Sequence, residues 1–90
     1  MRIPDTIKIG AITWTVEQVA PDDFDDQRCG ETDHIKCRIR INRDLLDDVK
    51  ALTLLHELFH AINGEMNHSD VEMMSSVLHQ VLTENDLNFK

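Results

Sequence analysis

Tyrosine is absent from this chain of 90 residues, and its other aromatics amount to one tryptophan and three phenylalanines. A core built from it must therefore rest on aliphatic side chains. Two cysteines are too few for the disulfide scaffold that a secreted domain of this size relies on. Positive charge is scarce as well, with nine Lys and Arg against seventeen Asp and Glu and a net charge of -8. Such a chain is repelled by phosphate backbones and anionic bilayers, so neither nucleic acid nor membrane is an expected partner. No apolar stretch approaches membrane-spanning length, and Met1-Arg2-Ile3-Pro4-Asp5 lacks the apolar run of a signal peptide. Together these absences lead to the expectation of a cytoplasmic protein with reduced thiols. What remains is ordinary globular material, 41% hydrophobic and 29% charged. Ninety residues enclose one modest core, so residues 1–90 are expected to form a single domain whose active site, if it has one, lies against that core.

The patterning places elements on this chain. β-branched and polar residues alternate on both sides of Gly10-Ala11, over residues 6–9 and 12–19, which predicts a β-hairpin with Ile12, Trp14 and Val16 on its core face. Pro21 ends it, and Asp22-Asp23-Phe24-Asp25-Asp26 reads as a solvated acidic turn, since it lacks the glycine and distal glutamate of a calcium loop. A second hairpin follows, over residues 28–32 and 36–41 around Asp33-His34, with Cys37, Ile39 and Ile41 on one face and Lys36, Arg38 and Arg40 on the other. A three-residue loop centred on Asp33 would set Cys29 opposite Cys37, close enough for a disulfide under oxidation; two buried free thiols are the preferred reading. Cys29, His34 and Cys37 would make only a three-ligand zinc site. An aspartate among residues 44–48 can cap a helix over residues 48–63, ended by Gly64. That helix is apolar around much of its girth and so must be packed on more than one side. A last helix over residues 69–84 carries the stripe Val71, Met74, Val77, Leu78, Val81 and Leu82, with a tail from Asn85 expected to be frayed or loosely packed. The fold class is thus α+β, a small antiparallel sheet of two hairpins packed on two helices.

The chemistry concentrates in Leu54-Leu55-His56-Glu57-Leu58-Phe59-His60, which spells H-E-x-x-H. On a helix, residues four apart lie about 40° apart around the axis, one turn above the other, so both imidazoles can reach one Zn2+. Glu57 lies further round, off the metal but within reach of a water that the metal holds, where a general base is needed. The plainer alternative is two core-edge histidines bonded to backbone or carboxylate. Burying both without partners costs several kcal/mol, roughly, and a metal satisfies both at once. A third ligand is needed for a catalytic zinc. Glu72 is the first choice, because it opens the following helix; Ser69-Asp70-Val71-Glu72 also reads as a capping box, which would occupy the same carboxylate. His68, Asp70 and Glu65 are alternatives.

With two hairpins, then Thr53-Leu54-Leu55-His56-Glu57-Leu58-Phe59-His60-Ala61-Ile62-Asn63, then a helix with Val71-Glu72, the chain resembles the very small zincin-type metallopeptidases of bacteria and their phages over nearly its whole length. Such proteins are similar to gluzincins, whose third zinc ligand is a glutamate on the helix after H-E-x-x-H, a position that Glu72 matches. The resemblance implies a zincin fold with an edge strand, here residues 36–41, along which an extended peptide or protein substrate would lie. The metzincin pattern does not fit, since Asn63 and Met66 stand where its glycine and third histidine belong. Zincins usually supply Tyr, His or Arg to the oxyanion, and this chain has no tyrosine; His79, seven residues on from Glu72, is the first candidate and His68 the second.

Two functions follow as expectations. One is a zinc-dependent peptidase in which His56, His60 and Glu72 hold the metal and Glu57 deprotonates the attacking water. The other is a metal-held binding module without turnover, acting in phage or bacterial regulation. The scarcity of aromatics suggests little in the way of a substrate pocket, which keeps the second in play.

Overall fold

A computed structural model describes residues 2–24 and 28–87. Asp25 and Asp26 of the acidic loop, and the tail beyond Leu87, lie outside the described residues. Strands β1 (Thr6–Ile9) and β2 (Ile12–Val19) form the first hairpin, β3 (Gly30–Asp33) and β4 (Arg38–Asn42) the second, and helices α1 (Asp47–Ile62) and α2 (His68–Glu84) complete an α+β domain. The two-residue turn at Gly10-Ala11 needs a positive φ, and Gly10 adopts 61° without a Cβ to object. None of the helices among the described residues is long and apolar enough to cross a membrane.

The expected all-antiparallel sheet is instead mixed. Strand order is β1-β2-β4-β3, with both hairpins antiparallel and β2 joined to β4 in parallel, Val16 opposite Ile39 and Gln18 opposite Ile41. After β2 the chain passes to the far side of the sheet, enters as β3, and returns inward as β4. Burial explains why β4 takes the inner position. Ile39 and Ile41 are fully buried and, with Trp14, Val16 and Leu54, make up the core. The segment read as a peptide-accepting edge is therefore central, and β3 is the edge strand on that side.

Register settles the cysteines differently too. Gly30 faces Ile41 and Asp33 faces Arg38, which leaves a four-residue turn, residues 34–37, and places Cys29 beside Asn42, whose N–H donates to the Cys29 carbonyl at 2.8 Å. Cys29 and Cys37 are not cross-strand partners; both are free thiols, Cys29 exposed and Cys37 half-buried at a positive φ of 50° in the turn. Ile12, expected on the core face, is also exposed at the hairpin end.

Helix α1 is covered on two sides, by the sheet and by α2, as its girth of apolar residues requires. Its N-cap is Leu46, with no side-chain cap; Asp47 and Asp48 lie instead in the first turn, where carboxylates favour the positive end of the helix dipole. The C-cap Asn63 is extended at φ -143°, so Gly64 is not a left-handed terminator. Gly64 gives room instead: a Cβ there would stand 3.3 Å from the His34 ring. Helix α2 begins one residue earlier than its sequence suggests. Asn67 is the cap, accepting from the Asp70 N–H at 2.8 Å and donating to the Asp70 carboxylate at 2.9 Å, so the capping box read at Ser69 and Glu72 does not form and Glu72 is released from it. Of the expected α2 stripe only Val71 and Leu82 are buried; Met74, Val77, Leu78 and Val81 face outward.

The helix and sheet layers approach closely at Gly30. A Cβ there would meet Thr53 Cγ2 at 2.8 Å, the Arg40 carbonyl at 2.9 Å and Glu57 Cγ at 3.3 Å. Glycine in this strand lets α1 settle onto β3. Gly30→Ala is expected to destabilise the protein by about 1–3 kcal/mol through overpacking, read as a lower urea midpoint; an unchanged midpoint would show that the layers part without cost.

Candidate metal and catalytic site

Helix α1 supplies His56, Glu57 and His60, and the connection 63–67 folds the first turn of α2 back so that His68 and Glu72 stand beside them. That connection is held by Asn63, whose side-chain oxygen accepts from the Glu65 N–H at 3.1 Å and whose carbonyl accepts from the Met66 N–H at 3.1 Å. One potential ligand atom from each of His56, His60 and His68 lies within 4.8 Å of the other two. His56 Nε2 and His60 Nε2 are 3.2 Å apart. Two nitrogens bound to one tetrahedral zinc at about 2.0–2.1 Å stand about 3.3–3.4 Å from each other, so the pair has ligand spacing already. Three imidazoles are also a donor set that zinc accepts.

Glu72 lies at the rim of this group. Its Oε1 is 3.4 Å from His68 Nε2 and 3.9 Å from His56 Nδ1, and its side chain is well exposed. The His56 nitrogen it faces is Nδ1, whereas Nε2 is the one beside His60, and 3.9 Å is longer than a hydrogen bond. His79 does not line the cleft. It sits about 10 Å further along α2 than Glu72, half-buried, with Nε2 buried and without a hydrogen-bond partner among the described residues. Among the described residues, Cys29, His34 and Cys37 do not make a second metal-holding group.

Glu57 lines the same cleft on the side where α1 meets β3, and is buried. Thr32 Oγ1 lies 2.8 Å from Glu57 Oε1 and 3.1 Å from the Glu57 carbonyl. A buried carboxylate without a partner is costly, and a hydrogen bond to a charged group contributes about 1.5–3 kcal/mol. The threonine hydroxyl has one proton for these two acceptors. Strand parity puts Gly30 and Thr32 on the same face, so the residue that admits the helix and the residue that meets its glutamate are two positions apart.

The turn after β3 is tied to the end of α1. His34 Nε2 is 2.9 Å from the His60 carbonyl and must be the donor, since a carbonyl only accepts; the ring packs edge-on against Trp14 at 5.6 Å. Asp33 Oδ1 accepts from the Ile35 and Lys36 N–H groups, and the Lys36 bond in particular holds its carboxyl below the usual range. His34 thus braces the backbone of one of the three clustered histidines. Between these elements is an open cleft of about 730 Å³, walled by β3, the outer face of α1 and the first turn of α2.

The residues that sequence alone did not single out are Gly30 and Thr32, although a glycine inside a strand is a signal of close approach and parity then leads to Thr32. His68, one of the alternatives to Glu72, is the first residue of α2 and stands with His56 and His60. His34 was read only as a turn residue or a ligand.

Burial lowers the pKa of His56 below the ordinary histidine value of 6.5; Glu57 works against this, His60 and His68 reinforce it, and Glu72 opposes it. The neutral imidazole that a metal requires is thereby favoured. In the unfolded chain His56 takes up its proton at higher pH than in the folded one, so below about pH 6.5 the unfolded state binds more protons and stability falls. For the metal-free protein, the contribution of His56 is expected to be whole above that pH and lost as pH drops through the folded-state value. Urea midpoints measured from pH 7.5 to 5 should decline less steeply for His56→Gln than for the wild type; equal slopes would remove His56 as the cause. No protein-family model, no curated protein and no solved structure matches this chain.

Proposed function

We propose that this chain is a zinc-dependent metallopeptidase with a zincin-like arrangement of sheet, H-E-x-x-H helix and following helix. The observation that carries the reading is the shared placement of a buried carboxylate, Glu57, and three convergent imidazoles on one 730 Å³ cleft. His56 and His60 would hold the ion. Geometry supports His68 as the third donor, with Glu72, the residue to which the family resemblance gives that role, steadying His56 from behind or swinging in from its exposed position. A bound zinc would supply Lewis acidity, acidifying water and polarising a carbonyl.

The chain's own groups do the rest. Glu57 accepts the proton of the attacking water and returns it to the leaving amine. The free edge of β3 offers backbone N–H and C=O groups to an extended peptide, which would place a substrate carbonyl over the histidines. His34 keeps the end of α1 from shifting under that load.

A second reading has one observation in its favour. Met73, Met74, Val77, Leu78 and Val81 form an exposed apolar face on α2, which suits a metal-held module that docks a partner without turnover. Glu57 separates the two readings, because a binding module does not need a base in the cleft.

The test combines zinc content with cleavage of fluorescein-labelled casein. Zinc-loaded wild type is expected to cleave, and Glu57→Gln to keep its zinc while losing about 10²–10⁴ in rate; a fully loaded wild type that leaves casein and a peptide library intact would count against the peptidase. His68→Ala should weaken zinc binding by more than the roughly 10–100-fold expected for an outer carboxylate in Glu72→Ala. The reverse order would make Glu72 the third ligand.

A further inference from the structure

We propose that Thr32 is a positioning residue for Glu57, its hydroxyl fixing one carboxylate oxygen so that the other faces the cleft. This rests on the reading of Glu57 as the base and adds to it the part that aims that base. A glutamate turns about three side-chain bonds, and a base that wanders by about 1 Å can lose about a hundredfold in rate. Here one hydroxyl reaches one carboxylate oxygen and the backbone carbonyl of the same residue, with its single proton to give to one of them at a time. Thr32 Oγ1 is 2.8 Å from Glu57 Oε1 and 3.1 Å from the Glu57 carbonyl, so it spans the side chain and the backbone of the same residue.

The hydroxyl itself is fixed. Thr32 pairs with Ile39 in the sheet, and Ile39 is fully buried in the core. Two residues back, Gly30 brings the strand so close that Glu57 Cγ would be 3.3 Å from a Cβ there. The carboxylate is therefore confined between a strand paired into the sheet and its own helix. Thr32 meets Oε1, and on this proposal Oε2 is the oxygen that acts as base. The plain alternative is that Thr32 only compensates the burial of Glu57, in which case its loss would lower stability and leave turnover alone.

The variants Thr32→Ser, Thr32→Val and Thr32→Ala, each loaded with zinc, separate these roles on the labelled casein, with circular dichroism and zinc stoichiometry as controls. Valine keeps the β-branched shape and removes the hydroxyl, and alanine serves if valine does not fold. Expected is a fall in kcat of about 10–100-fold for Val or Ala with KM within about twofold, and recovery to within about threefold of wild type for Ser. Val or Ala turning over like wild type overturns the proposal while leaving Glu57 as base. Failure of Ser to recover activity overturns it as well, since the hydroxyl would not be what matters. A loaded wild type that does not cleave removes the peptidase reading and Thr32's role with it, a different result from selective loss in the variants.

Discussion

The distance between α1 and β3 is set where Gly30 lies against Thr53, Arg40 and Glu57, and the other features of the site depend on that spacing. A helix held further out would lift Glu57 away from Thr32 and expose its carboxylate to water. It would also move His56 and His60, which stand on the same turns, relative to the first turn of α2. Burial of Ile39 and Ile41 on the adjacent strand supplies the rigidity against which the helix is pressed. One glycine thus links the packing of the core to the arrangement of the chemistry.

The two ends of the cleft are braced by different means. At one end Asn67 closes the start of α2 and sets His68 in its first turn. At the other, the Asp33 turn presents His34 to the His60 carbonyl, with Gly64 leaving room for the ring. Ion pairs on the sheet, such as Arg40 with Glu31 and Arg38 with Asp33, sit near solvent and contribute little individually. Helix caps, a close glycine contact and one ring-to-backbone bond do more to fix the site than the abundant charge does.

Local pattern made much of this legible. Alternation located four strands, Gly10 marked a turn, and the apolar girth of residues 48–63 correctly called for cover on two sides. What failed was long-range. Nothing in residues 36–41 says whether they lie at an edge or between two neighbours, because that depends on where β3 goes after leaving β2. The turn lies over residues 34–37 instead of being centred on Asp33, and that shift along the chain separates Cys29 from Cys37. On α2, helical spacing of apolar positions predicts a buried stripe, yet among the described residues Met74, Val77 and Val81 are exposed, because one sheet and two helices cover only one side of α2. At the site, H-E-x-x-H was visible in the string, whereas Thr32, which meets its glutamate, is 25 residues away in the chain.

The choice of a hydroxyl opposite Glu57 has a consequence for how firmly strand and helix are tied. A threonine oxygen can give its one proton to the Glu57 carboxylate or turn it to the Glu57 carbonyl, with both acceptors within 3.1 Å. Valine could do neither. One rotating O–H thus keeps a partner on the helix in either orientation, and the tie between β3 and α1 does not depend on a single alignment.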